Sequence, residues 1–281
     1  MRIVSVVALA VLLLAAPCAF ASSVGNEVEG MGNLKFSAGA EGNLVYNKEI
    51  EGGGTLTSPS TTITDFEIDY AQVYGKLSVG LTDYLNLYTK LGGVKITDSK
   101  IKFASGSEIK VKSDTSFLWA LGGTVTYTVK EGDCVYELFG KNDWIKDFFV
   151  GVNNEFNMWG VDVDSLSITG NVSPTNVSGH VWNWEYQLTG YVGRRFAFEQ
   201  IKTVFKPYVG MLWDLFHTET DDDISYTLSG TASKLTYDLD SDDQLGIVVG
   251  ADVTIFDHII LNVEGRFINE TAISFGGSYK F

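Results

Sequence analysis

The stretch Ser274-Phe-Gly-Gly-Ser-Tyr-Lys-Phe281 closes the 281-residue chain and alternates with the period of a β-strand. One face of the predicted strand is small or polar. The other face is apolar and holds Ile273, Phe275, Gly277, Tyr279 and Phe281. A soluble protein buries such a face, whereas a membrane barrel turns it toward lipid. The stretch therefore predicts an amphipathic strand, and the rest of the chain indicates where its apolar face lies.

The beginning of the chain has the pattern of an export signal. Arg2 precedes an uncharged apolar run from Ile3 to Ala16, and a small-x-small site follows at residues 19–21. The run is shorter than the roughly 18–20 apolar residues that a spanning helix needs. We therefore expect residues 1–21 to be a signal peptide, cleaved after Sec-type export, and residues 22–281 to form the mature domain.

The composition favours a barrel over other ways of crossing a membrane. Beyond residue 21 no apolar stretch is long enough for a spanning helix, and the chain has 30 Gly, 13% aromatic residues and only 4 Pro. Backbone polar groups must be paired internally in lipid, so such a chain can span only as a closed barrel. The net charge of −15 argues against nucleic-acid binding, which requires a basic surface.

Alternating segments recur along the chain and predict an all-β, closed antiparallel transmembrane β-barrel of about ten strands. Counts of eight and twelve are the alternatives, because boundaries read from a single sequence can shift by several residues. The predicted strands are 34–46, 66–81, 85–91, 117–127, 148–156, 182–192, 206–213, 245–253, 261–267 and 273–281. Long polar loops follow every second strand, at 47–64, 95–114, 158–181 and 214–243. They would all lie on one side of the membrane, facing out of the cell if Phe281 lies in the periplasm.

The end of the chain resembles the assembly signal of bacterial outer-membrane barrels, in which a polar residue and a glycine precede two aromatic residues. The matching positions are Ser274, Gly276, Tyr279 and Phe281. The whole mature chain resembles, in pattern alone, the small outer-membrane barrels of the OmpA/opacity type. This resemblance implies location in the bacterial outer membrane, contact with its lipid and lipopolysaccharide, and recognition of the last strand by the barrel-assembly machinery. A soluble periplasmic barrel or sandwich, with its apolar faces turned inward, is the alternative.

Charged side chains on the polar faces of the strands should point into the lumen. Barrels of about ten strands fill their interior with side chains or leave a narrow passage. We therefore expect a plug of paired charges and a structural role, with a narrow pore as the alternative. The residues expected in the lumen are Lys35, Glu41, Lys76, Lys90, Glu155, Glu185, Lys206, Asp252, Glu264 and Arg266.

Two other functions compete with this interpretation. The long loops could bind a ligand or a host surface, since recognition residues usually sit on loops of a rigid scaffold. A remote alternative is an enzyme similar to the outer-membrane proteases called omptins, with Asp65, Asp69, Asp214 and His217 near the rim. The paired acids and the Asp-x-His arrangement of that family are absent, so we expect neither catalysis nor a cofactor.

The acidic stretch Asp238-x-Asp240-x-Asp242 begins like a calcium loop, because calcium takes several oxygen ligands. The turn glycine is replaced by Asp243 and the twelfth position is Val249 instead of Glu. These three aspartates are therefore weak metal candidates, and a solvated acidic loop is expected.

Overall fold

The computed structural model describes residues 32, 34–57, 60–139, 144–169, 174–242, 244–268 and 270–281; the expected signal peptide lies outside them. Within these residues, no helix is both long and apolar enough to cross a membrane. A short helix, α1 (Cys134–Leu138), and a 3₁₀ turn (Glu199–Ile201) accompany the strands. The strands are β1 (Lys35–Thr57), β2 (Ser60–Gly80), β3 (Leu85–Phe103), β4 (Glu108–Ser113), β5 (Ser116–Thr128), β6 (Phe148–Ile168), β7 (Thr175–Arg194), β8 (Phe196–Phe198), β9 (Thr203–Leu228), β10 (Thr231–Ser241), β11 (Leu245–Ile255), β12 (Ile259–Phe267) and β13 (Thr271–Lys280).

Ten antiparallel strands close into a ring at the end of the barrel that holds Phe281. The ring runs β1-β2-β3-β5-β6-β7-β9-β11-β12-β13, and β13 pairs with β1 to close it. The predicted closed barrel and its count of ten are confirmed. We call this part the membrane section; it comprises residues 34–46, 71–93, 115–129, 146–158, 182–213, 244–268 and 270–281.

Most described residues of the four stretches predicted as long loops belong to strands instead. Here β4 takes the place of β5 between β3 and β6, and β10 bridges β9 and β1. The hairpin of β12 and β13 ends nearer to Phe281 and does not extend to the level of β4 and β10. The ring therefore narrows there to the eight strands β1-β2-β3-β4-β6-β7-β9-β10. We call this second ring the distal barrel; its strand residues fall within 48–70, 94–113, 159–181 and 214–241.

The two sections have opposite polarity. In the membrane section large apolar side chains such as Leu77, Leu121 and Met211 are about 54–64% exposed on the outside. No large apolar side chain of the described distal barrel is exposed; instead Phe66, Ile101, Trp159, Ile224, Leu235 and others pack inside it. An apolar exterior that ends at a polar one is the pattern of a barrel leaving lipid for water. This arrangement excludes the soluble alternative for the membrane section.

Aromatic rings mark both edges of the apolar belt. At the distal edge the Trp119, Phe156 and Trp184 rings follow one another around the outside, with centroids 5.9 and 6.4 Å apart. At the edge nearer Phe281, Tyr84 stacks on Tyr127 at 6.1 Å. Girdles of this kind lie at the two interfaces of a transmembrane barrel.

A positive charge on the outside should therefore have opposite consequences in the two sections. We expect Leu121→Arg, in the belt, to lower the free energy of unfolding from lipid vesicles by about 2–4 kcal/mol. The matched change Ser167→Arg, on the exposed outside of β6 in the distal barrel, should stay within about 0.5 kcal/mol. Urea titrations followed by tryptophan fluorescence measure both, and equal losses would contradict the assigned membrane boundary.

Candidate functional site

A cluster of five charged side chains lies inside the barrel at the level where ten strands become eight. Lys48 Nζ contacts Glu185 Oε1 at 2.5 Å, Asp214 Oδ2 at 2.5 Å and Glu270 Oε2 at 3.0 Å. Arg266 Nε lies 3.1 Å from Glu270 Oε1. We call these residues the upper ionic cluster. All five are 2% exposed or less, so each charge depends on its partners.

The backbone places these groups together through two changes of strand partner. Strand β1 leaves β13 after Tyr46 and pairs with β10 from Ile50 onward. Between them Asn47 adopts a φ of 51°, and the register against β2 shifts by one residue. This bulge turns Lys48 inward. Asp214 lies where β9 changes its pairing from β11 to β10, and Glu270 precedes β13.

A second charged group, the lower ionic cluster, lies deeper in the membrane section and consists of Glu41, Lys76, Lys90 and Glu155. Lys90 Nζ lies 2.9 Å from Glu41 Oε2 and 2.7 Å from Glu155 Oε2, and Lys76 Nζ lies 3.1 Å from Glu41 Oε1. Tyr88 donates its hydroxyl to Glu155 at 2.9 Å. Two cations thus face two carboxylates, and all four side chains are 2% exposed or less.

Polar side chains connect the two clusters across the lumen. Arg266 donates to Asn43 Oδ1 at 2.8 Å and to Gln187 Oε1 at 3.1 Å. Asn43 in turn donates to Gln72 Oε1 at 2.9 Å. Tyr74 donates its hydroxyl to Gln72 Oε1 at 3.3 Å, and Lys90 Nζ lies 5.0 Å from the centre of the Tyr74 ring, so these contacts link the level of Lys48 to the level of Lys90.

Aromatic rings pack in the interior of the distal barrel, next to the upper ionic cluster. The Tyr70 ring lies 5.4 Å from Trp159 and 6.1 Å from Phe216, and Trp159 lies 6.1 Å from Phe216. Tyr70 also donates its hydroxyl to Glu185 at 3.0 Å, which joins the apolar layer to the charged one. Beyond these rings the interior is a packed apolar core.

Toward Phe281 the interior is again closed by side chains. Phe149, Tyr191, Tyr208, Leu212 and Val248 form a small buried cluster. Beside it Tyr208 donates to Glu264 Oε2 at 2.7 Å, and Asn262 donates to Asp252 Oδ1 at 2.6 Å.

The residues expected in the lumen fall into these groups, with one exception. Lys35 lies exposed at the terminal rim of β1, outside the buried network. Lys206 is 5% exposed, and its Nζ reaches Thr254 Oγ1 at 3.5 Å. Nine of the ten expected lumen residues are therefore buried: Glu41, Lys76, Lys90, Glu155, Glu185, Lys206, Asp252, Glu264 and Arg266.

Sequence reasoning missed three members of the upper ionic cluster. Lys48 and Asp214 belong to stretches interpreted as loops, and Glu270 to a turn. Continued alternation from Lys206 to Leu212 would have placed Asp214 inward. No comparable signal exists for Lys48, whose orientation depends on the bulge at Asn47, or for Glu270.

The residues considered for an omptin-like site do not come together. Asp214 points into the lumen, whereas His217 lies on the outside of β9, where it stacks on Trp184 at 5.4 Å. Asp65 pairs with Lys102 at 2.6 Å, and Asp69 Oδ1 accepts a hydrogen bond from the backbone N–H of Asn47 at 2.8 Å.

The expected calcium-like loop is also a strand. Asp238 and Asp240 project from the outside of β10 and are 74% and 77% exposed, and Asp242 follows the strand end. Strand geometry spreads these carboxylates along one face instead of folding them around an ion. Within the described chain the carboxylates that converge are Glu185, Asp214 and Glu270, whose oxygens lie within 4.8 Å of one another. The Lys48 ammonium is the cation that they hold.

The outside of the distal barrel is acidic along β1, β9 and β10. We call this surface the acidic face; its residues are Glu49, Glu51, Glu219, Asp221, Asp222, Asp238 and Asp240. Close by, Lys234 donates to Asp223 at 2.7 Å and Thr236 donates at 2.5 Å, and these hydrogen bonds lower the pKa of the Asp223 carboxyl. On the opposite side, two lysines pair with acids: Lys100 of β3 with Glu67, and Lys110 of β4 with Asp98.

The residues of the terminal stretch lie where strand alternation predicts. Ser274 is buried against the lumen, and Tyr279 and Phe281 are 47% and 70% exposed on the outside. Their rings contact each other at 5.2 Å at the edge of the belt.

The closed ring, its apolar belt and its polar lumen define a transmembrane β-barrel of the bacterial outer membrane. Solved structures match this chain at low identity. The outer membrane protease OmpT from Escherichia coli has a TM-score of 0.45 and 8% identity, covering 88% of this chain and 97% of that one. The β domain of the Bordetella autotransporter BrkA has a TM-score of 0.44 and 12% identity, covering 89% and 99%. The Ralstonia pickettii toluene transporter TbuX has a TM-score of 0.38 and 10% identity, covering 89% of each chain. No protein-family profile and no curated protein matches the chain.

Removal of the central cation should destabilise the barrel strongly. Lys48→Met leaves three buried carboxylates without their shared partner, and we expect a loss of about 3–5 kcal/mol in the free energy of unfolding. Lys100→Met, which breaks the part-exposed pair with Glu67, should cost about 1 kcal/mol or less. Adding Asp214→Asn to Lys48→Met should recover part of the loss. Equal costs for the two single variants in urea titration would show that the buried cluster contributes no more than a surface pair.

Proposed function

We propose that the protein is a non-conducting outer-membrane barrel that holds the distal barrel above the membrane as a rigid body. The observation that carries this proposal is that clusters of buried side chains lie at successive levels of the interior. Two ionic clusters and a small apolar cluster fill the membrane section, and an apolar core fills the distal barrel. An ion entering this interior would have to displace paired charges and then cross a packed apolar layer.

The expected orientation places the distal barrel outside the cell, because the end with Phe281 would face the periplasm. Its strands continue directly from the membrane section without a linker, as in β9, which runs from Thr203 to Leu228. The outer surface of the distal barrel therefore moves together with the membrane section. This arrangement suits the display of a binding surface more than the gating of a channel.

Planar bilayer recordings test the closed lumen. We expect the purified wild-type protein to give no stable conductance steps, because the Tyr70, Trp159 and Phe216 rings pack against one another in the interior. Heat-modifiable gel mobility of the same preparation verifies that the barrel is folded. Reproducible steps that scale with salt concentration would reject the plugged barrel and favour the narrow pore.

The acidic face supports a second candidate function, recognition of a cationic partner at the cell surface. Its exposed acids lie on three adjacent strands, while three lysines of β3 and β4 across the barrel, Lys100, Lys102 and Lys110, pair with acids. Surface fields of one sign speed the association of oppositely charged partners and lose strength with salt.

Charge reversal on this face should weaken such recognition. We expect Asp238→Lys with Asp240→Lys to slow association of a polylysine probe by about tenfold at low ionic strength. Glu108→Lys, on the compensated side, serves as the control and should change the rate little. The difference should shrink near 1 M salt. If binding is unaffected by the double reversal, the acidic face is only a solvated surface.

We infer further that the last strand is the part of the chain that the assembly machinery recognises. Tyr279 and Phe281 face outward, so their rings are accessible before the barrel closes, and β13 forms the closing pair with β1. The lipid and lipopolysaccharide of the membrane would contact the apolar belt and its aromatic edges.

A further inference from the structure

Arg194 is a cation on the lipid-facing side of the barrel. It lies at the C-terminal end of β7. The alternate residues Gly190, Val192 and Arg194 all face the outside of the barrel. The guanidinium carbon lies 5.5 Å from the centre of the Phe148 ring and 5.6 Å from that of Phe196. Among the described residues, no carboxylate lies within ion-pair distance of Arg194, whereas its neighbour Arg195 reaches Asp147 at 3.7 Å.

A shallow apolar hollow lies on the same strand, toward the middle of the belt. Gly190 forms its floor, because nothing lies within 4 Å of a Cβ built there. Val152 of β6 and Met211 of β9 flank this glycine, and Val150, Val192 and Val209 extend the walls toward Arg194. The hollow measures about 500 Å³ and its lining is almost entirely apolar.

The spacing of these two features matches an amphipathic ligand. Arg194 lies four positions after Gly190 in the strand, which is about 13 Å at roughly 3.3 Å per residue. Arginine binds phosphate through paired donors, and aromatic rings at the belt edge lie at the level of lipid head groups. When the head group of a lipid lies at Arg194, the acyl chain of the same lipid therefore runs along the apolar hollow.

We propose that Arg194 and the hollow at Gly190 form a binding site for one phospholipid. The guanidinium, held between the Phe148 and Phe196 rings, binds the phosphate of the head group, and the hollow takes an acyl chain. The site is separate from the lumen and from the acidic face, so its test does not depend on whether the barrel conducts.

Native mass spectrometry of the protein in mild detergent, with added dioleoyl phosphatidylglycerol, tests this proposal. We expect one retained lipid per barrel. Arg194→Gln should weaken its affinity about tenfold, since it removes a charge-assisted contact. Gly190→Leu, which fills the hollow, should weaken it about fivefold. Positions 190 and 194 both lie on the lipid-facing side of the barrel. Heat-modifiable gel mobility verifies that each variant is folded.

Matched controls lie on the other side of the barrel. Lys35→Gln removes an exposed cation at the same rim, and Ala38→Leu enlarges a lipid-facing side chain of β1; both should retain the lipid as the wild type does. Equal retention by Arg194→Gln and the wild type would overturn the site. So would equal losses in the control variants. Full displacement of the lipid by millimolar inorganic phosphate would show a simple anion site and reject the phospholipid.

Discussion

A β-barrel that continues from lipid into water must exchange the chemistry of its two faces. In lipid the apolar side chains point outward, and in water they must point inward. Strand β9 makes this exchange within four residues and without a change of register. Trp213 faces outward and Asp214 inward, and then Phe216 faces inward while His217 is outside. The upper ionic cluster lies at this level, where neither the polar lumen below nor the apolar core above is complete.

The cluster also fixes how the strands are aligned there. Lys48 of β1 meets carboxylates from β7, from β9 and from the residue that precedes β13. A slip of β1 by one residue would turn Lys48 outward and leave three carboxylates buried without their cation. Buried ion pairs add little net stability compared with apolar packing, but loss of one partner is costly. The loss of stability that a register slip would cause is therefore concentrated at the level where β1 and β9 change their strand partners.

Alternation in the sequence was sufficient to predict the membrane section and failed for the distal barrel, for a physical reason. In the membrane section the apolar face is exposed, so segments such as Leu85–Leu91 show a regular pattern, and Lys90 was correctly placed inside. In the distal barrel the outward residues are acids, lysines and threonines, and this high polarity resembles that of a loop. Its strands also contain irregularities, such as the glycine run Gly52–Gly54, where the pairing of β1 with β2 shifts. Lys48 could not be placed from sequence, because a single left-handed residue, Asn47, reverses which side chains point inward.

The β12–β13 hairpin ends before the distal barrel begins, and the smaller ring that results bears on function. With two strands fewer, the distal ring is of the size whose interior side chains can fill. In the proposed function the lumen is closed by two different means, paired charges within the membrane section and packed aromatic rings above them. A gate would require a single layer that can open while the rest of the interior stays wet. Here the polar network is buried on both sides, by the Tyr70–Trp159–Phe216 rings and by the cluster around Tyr208. On this proposal the interior resembles the core of a rigid protein more than the wall of a channel, and binding would occur on the outer surfaces of the two sections.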